Sequence, residues 1–599
     1  MKLQIANNIK IALAVLNIQN EEVPVDPPQN PSFGDYTSNV ALKLAKKYNK
    51  NPVWLADHII ANLPKEAWLE RAEVMKPGFI NFWISKRFHL EELQKIIQSD
   101  DIFFQSSMYV GKKMMFEYTD PNPFKEFHIG HLYSNAVGES LARIASFLGA
   151  TVKRANYYGD VGMHVAKSLW GMKKKMRDEN VSLVDLEKKL LKERVQFLGQ
   201  SYAIGAQAYE GDEKAKEEMK DINYAVFVAG QEYLKQKKGI QPTVDYRKYL
   251  TGKHVNLDSL SKLYMKGKTW SLQAFDEMYK ILGTNFDYDY PESMMAELGQ
   301  KMVLEYLEKG VFKKSEGAVI FEGEKYGLHN RVFINSLGLP TYEAKDLGNA
   351  PTKFKDFPYD LSYIITANEI NEYFKVVLNA LSKINLSLAK KTIHIGHGMV
   401  RLPEGKMSSR TGKIMTGEFL INTTEQEVEK VMENTEVGSE NRRQTVGKIA
   451  IGAIKFALLR QGIGSNIEFN LNESVSFSGN SGPYIQYTYV RCQSVLKQTS
   501  FTSKTINLDN PIGQEENDLL RTLVQFSETV FEAGQKNAPH IIAGYLFSVA
   551  QKYSAFYENC PILKAEDAEK EFRLSLTLAT SLVLKKGLHL LAIETVEKM

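Results

Sequence analysis

Two imidazoles, His128 and His131, flank a glycine in Phe127-His128-Ile129-Gly130-His131, and far downstream a lysine stands in Gly405-Lys406-Met407-Ser408-Ser409-Arg410. Imidazole N–H groups and a mobile ammonium are suitable donors for charge that develops on phosphate oxygens. Gly130 has no side chain, so a nucleotide can approach the backbone there more closely than any other residue would permit. Gly405 and Gly412 on either side of Lys406 permit a loop that closes over phosphates, with the ammonium following the moving charge. A four-residue histidine motif is a weak signal by itself, so its weight depends on the elements around it.

Those elements are favourable. Lys113 to Tyr118 reads as a strand and Thr151 to Tyr158 as the next. Between them a helix is expected from about His131 to Leu148, with Val137, Leu141, Ile144 and Leu148 on one face and Gly149 as its stop. Strand, helix and strand form a right-handed parallel unit, and open α/β sheets bind ligands at the carboxyl ends of their strands. The histidines fall there, at a helix N-terminus whose dipole favours anions. A second His-Ile-Gly-His, at 394–397, has no amphipathic helix after it and is read as a strand entering the Lys406 loop.

Four regions are expected. Residues 1–108 form an α+β module whose Phe79, Asn81 and Trp83 alternate as in a strand, with a proline-rich surface loop from Pro24 to Pro31. Residues 109–400 form a Rossmann-type parallel-sheet domain, split at about 170–285 by a lysine- and glutamate-rich helical insertion whose charge runs are read as solvated faces. Residues 401–470 carry the lysine loop and a helical region, and 471–599 form an all-α bundle. Phe547, Tyr553, Phe556 and Tyr557 within that bundle are read as core rather than as platforms for bases.

Composition bounds the rest. With 599 residues the chain needs several cores. Its 43% hydrophobic and 24% charged residues are ordinary for a globular chain, and no apolar run is long enough to span a membrane. No export or transit segment is evident, so a cytoplasmic location is expected. Two cysteines, Cys492 and Cys560, exclude a four-thiolate zinc site and a disulfide framework, and both are read as buried thiols. A formal charge of +4 is compatible with nucleic acid without demanding it.

Read together, the histidine and lysine segments resemble the two ATP-handling signatures of class I aminoacyl-tRNA synthetases, and their flanks resemble the arginyl-tRNA synthetase family. Glu117-Tyr118-Thr119-Asp120-Pro121-Asn122 looks like that family's arginine pocket entrance, and Tyr342 to Asp346 like its Tyr-x-x-x-Asp segment. Further similar segments are Phe33 to Asn39 and Gly78 to Phe82 (the tRNA-elbow domain), Gly159-Asp160-Val161-Gly162, Ser481 to Tyr487 (the start of the anticodon domain) and Val583 to Met599. The resemblance implies that ATP is bound by Gly130, His128, His131, Lys406, Met407, Ser408 and Ser409. It also implies that His128, His131 and Lys406, assisted by Lys125, act in catalysis. Glu117, Asp346 and Tyr342 are expected to hold a guanidinium, which carboxylates match in pairs, while Asn122 holds the amino end of the substrate. Arginine, ATP with magnesium, and tRNA(Arg) are the implied substrates, with tRNA bound before adenylate forms and the 2′-hydroxyl of its terminal adenosine as acceptor. No dedicated metal site, no zinc and no membrane are expected, and the chain is expected to act as a monomer.

The chain departs from the family pattern at three places. Val161 stands where tryptophan is usual and His164 near where glutamine is typical, which alters nucleoside packing. Glu369 stands where glutamine is expected to meet the substrate amino group, so it either pairs with that ammonium or turns to solvent. A class I synthetase for another amino acid and a catalytically silent tRNA-binding paralogue are the rival readings.

Overall fold

Met114, Met115 and Phe116 are buried in succession, the continuous apolar run of a parallel strand covered on both faces. In the computed structural model, which describes residues 1–599 except 29, 99–107, 254, 402–415, 434–438, 500, 502–504 and 508–510, this run is the middle of the central sheet. The sheet holds β1 (Lys113–Glu117), β2 (Thr151–Tyr158), β3 (Tyr288–Pro291), β4 (Leu361–Ala367) and β5 (Thr392–His397), in the order β5-β4-β1-β2-β3. All neighbours are parallel, with Phe116 opposite Arg154 on one side and Tyr363 on the other. The expected Rossmann-type parallel sheet is therefore present, and the second His-Ile-Gly-His copy is the end of β5.

Helix α1 (Ile129–Phe147) connects β1 to β2 and is buried along almost its whole length. Its buried polar residues hold the β1–α1 connection in place. Ser134 accepts from Thr119 N–H at 2.9 Å and donates to the Ile365 carbonyl at 2.9 Å, and Asn135 donates to Thr119 Oγ1 at 2.9 Å. That connection needs holding, because Thr119, Asp120 and Phe124 all have positive φ. Left-handed backbone at non-glycine residues is unfavourable and persists where neighbours over-determine it.

The helical insertion begins immediately after β2 with α2 (Met163–Asp178), continues through helices at 183–188, 191–211 and 213–238, and ends with α3 (Leu257–Ile281) before β3 returns to the sheet. It has its own core, including Leu169, Met172, Phe227 and Trp270. After β3 come α4 (Glu292–Glu308), a three-stranded antiparallel sheet (Lys313–Ser315, Ala318–Phe321, Arg331–Ile334) that hydrophobic periodicity does not reveal, and α5 (Tyr342–Asp356).

Residues 1–98 form three helices against an antiparallel sheet of Tyr36–Ser38, Leu69–Met75 and Phe79–Ile84, followed by a helix at Lys86–Gln98. Within the proline-rich stretch Val25 is buried and Asp26 bridges Thr37. This module rests on the C-terminal helices. Arg521 Nε donates to Asp35 at 2.5 Å, and Tyr36 donates to Glu528 at 2.7 Å. The C-terminal helices (Gly482–Lys497, Gln514–Leu523, Phe526–Gln535, Pro539–Asn559, Asp567–Leu590) bury Tyr553 and Phe556 as core and leave Tyr557 exposed. Both cysteines are buried thiols, and burial pushes Cys492 up to about 12. The last helix grips α1, since Ser140 donates to the Leu590 carbonyl at 2.8 Å and Arg143 to that of His589 at 3.1 Å. No helix of the described residues is long and apolar enough to cross a membrane.

Candidate active site

The carboxyl ends of β1, β2, β4 and β5 gather most of the residues singled out in the sequence. His128 caps α1 with extended backbone, and His131 lies one turn in. The His131 Nδ1 accepts the His128 backbone N–H at 3.2 Å, so its one ring proton in the neutral form sits on Nε2. The two rings stack with centroids 3.6 Å apart. Burial, with Lys125 adding repulsion, pushes His128 down to about 4. Burial, followed by His128, Lys125 and His397, pushes His131 well below the usual range. Both rings are thus neutral near pH 7. A Cβ at position 130 would lie 3.0 Å from the His128 ring, so the bare glycine gives that imidazole its place.

Lys125 lies over the Tyr202 ring of the insertion at 4.5 Å. Lys406, Met407, Ser408, Ser409 and Arg410 lie outside the described residues. Their flanks are tied to this site: Val400 and Arg401 pair with Ile467 and Glu468, while Thr416 forms a bridge with His128 and Gly417 N–H donates to the Phe127 carbonyl at 2.7 Å. The second copy also comes close. His397 lies 4.5 Å from the Tyr133 ring of α1, a proximity that separation in sequence concealed.

Along the same edge, towards β2 and β3, four carboxyl groups converge. Glu117 is buried, and its Oε2 accepts from Lys353 Nζ at 2.8 Å and Asn349 Nδ2 at 2.9 Å. Its expected role as an open guanidinium ligand is therefore qualified, because a buried carboxylate requires a counter-charge and α5 already supplies one. Burial would lower the Lys353 ammonium, yet Glu117 holds it above the usual lysine range. Glu292 is paired with Lys345. Among the described residues, Asp120 and Asp346 form no ion pair. Asp120 accepts from Tyr157 N–H at 2.8 Å, and burial with Glu117 nearby raises it well above the carboxylate range. Asp346 accepts from the Tyr373 hydroxyl at 2.5 Å and is raised by burial to about 7. The buried Tyr157 hydroxyl finds no hydrogen-bond partner among the described residues.

Asn122 and Tyr342 join the group through the turn after β2. Asn122 Oδ1 accepts from Gly159 N–H at 3.1 Å, and a Cβ at 159 would lie 2.3 Å from that oxygen. His164 Nε2 donates to the Gly159 carbonyl at 2.7 Å, so its Nδ1 accepts from the Tyr342 hydroxyl at 3.0 Å. Burial holds His164 neutral, down to about 3. Glu369 is exposed in the turn after β4, which favours the solvent-facing alternative.

Sequence reasoning missed Asp120, Lys353, Asn349, Glu292 and Tyr373. One signal was available: Tyr342, Asp346, Asn349 and Lys353 recur at helical spacing, a polar stripe on a helix whose Lys345, Asn349 and Lys353 are buried. No group of three or more His, Cys, Asp or Glu among the described residues is arranged to hold a metal ion.

Family models match three stretches of the chain: "Arginyl tRNA synthetase N terminal domain" over residues 3–84, "tRNA synthetases class I (R), catalytic domain" over 92–471, and "DALR anticodon binding domain" over 485–599. The arginine–tRNA ligase of Treponema denticola is 30% identical over 97% of this chain and 95% of its own, and that of Phocaeicola vulgatus is 30% identical over 98% of each. Among solved structures, the arginyl-tRNA synthetase of Thermus thermophilus is similar over 100% of both chains, with a TM-score of 0.78 at 22% identity. That of Plasmodium falciparum is similar over 100% of this chain and 99% of its own, with a TM-score of 0.76 at 21% identity. A catalytic-domain match over more than half of the chain, with relatives aligned end to end, makes this protein a member of the class I arginyl-tRNA synthetase family.

Proposed function

We propose that this chain activates arginine with ATP, releasing pyrophosphate, and transfers the arginyl group to the 2′-hydroxyl of the terminal adenosine of tRNA(Arg). The observation that carries the reading is the pair of half-buried acids, Asp120 and Asp346, which form no ion pair among the described residues, on the same sheet edge as two neutral imidazoles. A cation is the natural complement of the first group and a polyanion of the second.

Arginine enters with its guanidinium towards Asp346, its planar N–H fork satisfying a carboxylate that has no ion pair among the described residues. Glu117 is held by Lys353 and Asn349 as a fixed wall of that pocket, with Oε1 left for a substrate donor. The Tyr342 hydroxyl is turned to His164, and Asn122, oriented by Gly159, accepts from the amino end with its remaining lone pair. At the other end His131 Nε2–H and the His128 ring donate to ATP phosphates over Gly130, with Lys125 beside them. Lys406, with Met407, Ser408 and Ser409, is assigned to the ATP phosphates, its ammonium matching negative charge on departing pyrophosphate. Neutral imidazoles can serve at this position, because each still carries one ring N–H to donate. Magnesium, carried by phosphate oxygens and water, supplies further charge neutralisation. Residues 1–108 are assigned to the tRNA elbow and 471–599 to the anticodon, which the similarity of 485–599 to an anticodon-binding domain supports. Basic contacts to tRNA phosphates weaken as salt rises.

The test is ATP–pyrophosphate exchange with each standard amino acid, with and without tRNA. Exchange with arginine alone, and only in the presence of tRNA, is expected. Exchange with a different amino acid moves the chain to another specificity, and none at all removes the catalytic reading.

A further inference from the structure

The described residues contain an ion pair with no exposure on either side chain: Asp160, in the turn after β2, and Lys268, on α3 of the helical insertion, 2.7 Å apart. Asp160 is saturated with donors. Its Oδ2 also accepts from Tyr264 of α3 at 3.0 Å and from the Ser293 hydroxyl at 2.7 Å, and its Oδ1 from Ser293 N–H at 2.8 Å. Lys268 has Asp160 as its carboxylate partner and lies 3.3 Å above the Tyr233 ring. Neither residue touches the groups assigned to substrate.

A buried ion pair is weak evidence for a stabilising role, because a well-packed apolar pair often serves as well. What this pair does have is position. Asp160 follows Gly159, whose N–H orients Asn122 and whose carbonyl holds the ring of His164, the partner of Tyr342. Ser293, clamped on the same carboxylate, follows Glu292, the partner of Lys345, and Lys345 lies beside Asp346 on α5. The turn 159–162 thus lies between the insertion on one side and the polar end of the amino-acid pocket on the other.

We propose that Lys268 is a positioning residue for amino-acid binding: acting through Asp160, the helical insertion fixes the turn on which Asn122 and the His164–Tyr342 pair are mounted. The proposal rests on the reading of Asn122, Tyr342 and Asp346 as the arginine site. It gives the insertion a part in substrate selection, and it distinguishes the two ends of the site, since the His128–His131 pair is built on α1 and does not depend on this turn.

The experiment is ATP–pyrophosphate exchange by the full-length enzyme at saturating tRNA, titrating arginine and ATP separately, with a thermal melt of each variant. Lys268→Met strands the Asp160 carboxylate without its cation. It is expected to raise the arginine KM tenfold or more while the ATP KM stays within twofold. Asp160→Asn in the Lys268→Met background removes the stranded charge, and the arginine KM is expected to return to within threefold of the parent. Arginine and ATP KM values that rise together, or a folded Lys268→Met enzyme whose arginine KM stays within twofold, overturn the proposal. If Lys268→Met does not fold, Tyr264→Phe deletes one neutral bond to Asp160 and is expected to raise the arginine KM two- to fivefold; no change there overturns the proposal equally. A parent enzyme that fails to exchange with arginine refutes the functional reading, whereas arginine exchange by the parent with unresponsive variants refutes only the strut.

Discussion

The two ends of the site solve opposite electrostatic problems. At the α1 end, burial has stripped charge away: His128 and His131 are held neutral and stacked, and Lys125 is the cation that acts on both. At the α5 end, burial has concentrated charge: four carboxyl groups converge, two have lysine partners, and among the described residues Asp120 and Asp346 have none. An apolar surround thus makes weak, proton-retaining donors at one end and strained acids at the other. A ligand that is anionic at one end and cationic at the other relieves both, which is the charge pattern of ATP next to arginine.

Four experiments break or sharpen this contrast. Lys406→Ala is expected to have the largest effect, slowing adenylate formation by about 10²–10³-fold with little change in arginine KM, as for loss of a donor engaged in the transition state. An equal loss in both would merge the two ends. Asp346→Asn is next: the arginine KM is expected to rise by roughly 10- to 100-fold, on the order of 2 kcal/mol for a lost charge-assisted bond, with ATP KM unaffected. An unchanged arginine KM takes Asp346 out of the pocket. The third is a pH series. Asp346 must be ionised to pair with a guanidinium and titrates at about 7, so arginine affinity is expected to climb by about tenfold per unit below that pH and level off above it. Its effect on folding has the opposite sign: the folded value is raised above the ordinary 3.8, so the linked stability is full below about pH 4 and lost as pH rises to 7. A flat arginine profile with a sloping ATP profile would reverse the assignment. Smallest is Tyr373→Phe, which deletes the O–H donor that favours ionised Asp346. Arginine KM is expected to rise about threefold at neutral pH, and the midpoint of the pH profile to move upward; an unmoved midpoint makes the tyrosine incidental.

The β1–α1–β2 unit was legible because local periodicity specifies it. Alternating or continuous apolar runs make strands, the Val137–Leu148 spacing makes a helix, and β2 falls at Thr151–Tyr158 as read. The second His-Ile-Gly-His was legible as a strand because no amphipathic helix follows it, but its approach to Tyr133 was not, because that depends on β5 joining the sheet beyond β4. Long-range pairing of buried charges was hidden altogether. Glu117 and Lys353 are 236 positions apart, and Asp160 and Lys268 are 108 apart, so no local pattern marks either partner. The polar stripe on α5 is the exception, an inward face of charge that helical spacing alone displays. The small sheet at 313–334 was missed because strands of three or four residues carry too little alternation to be recognised.

The grip of the N-terminal module on the C-terminal helices bears on how the chain is made. Arg521 reaches Asp35 across 486 positions, so a ribosome that has just added Asp35 has 486 more residues to add before the clasp can form. At ordinary elongation rates of 5–20 residues per second that interval is about 25–100 s. Throughout it, Asp35 has the Ile84 amide at 2.7 Å, but not yet the guanidinium, to satisfy it. The nascent module therefore waits with its docking face open to water and to chaperones, and synthesis of the final helices closes the molecule end upon end.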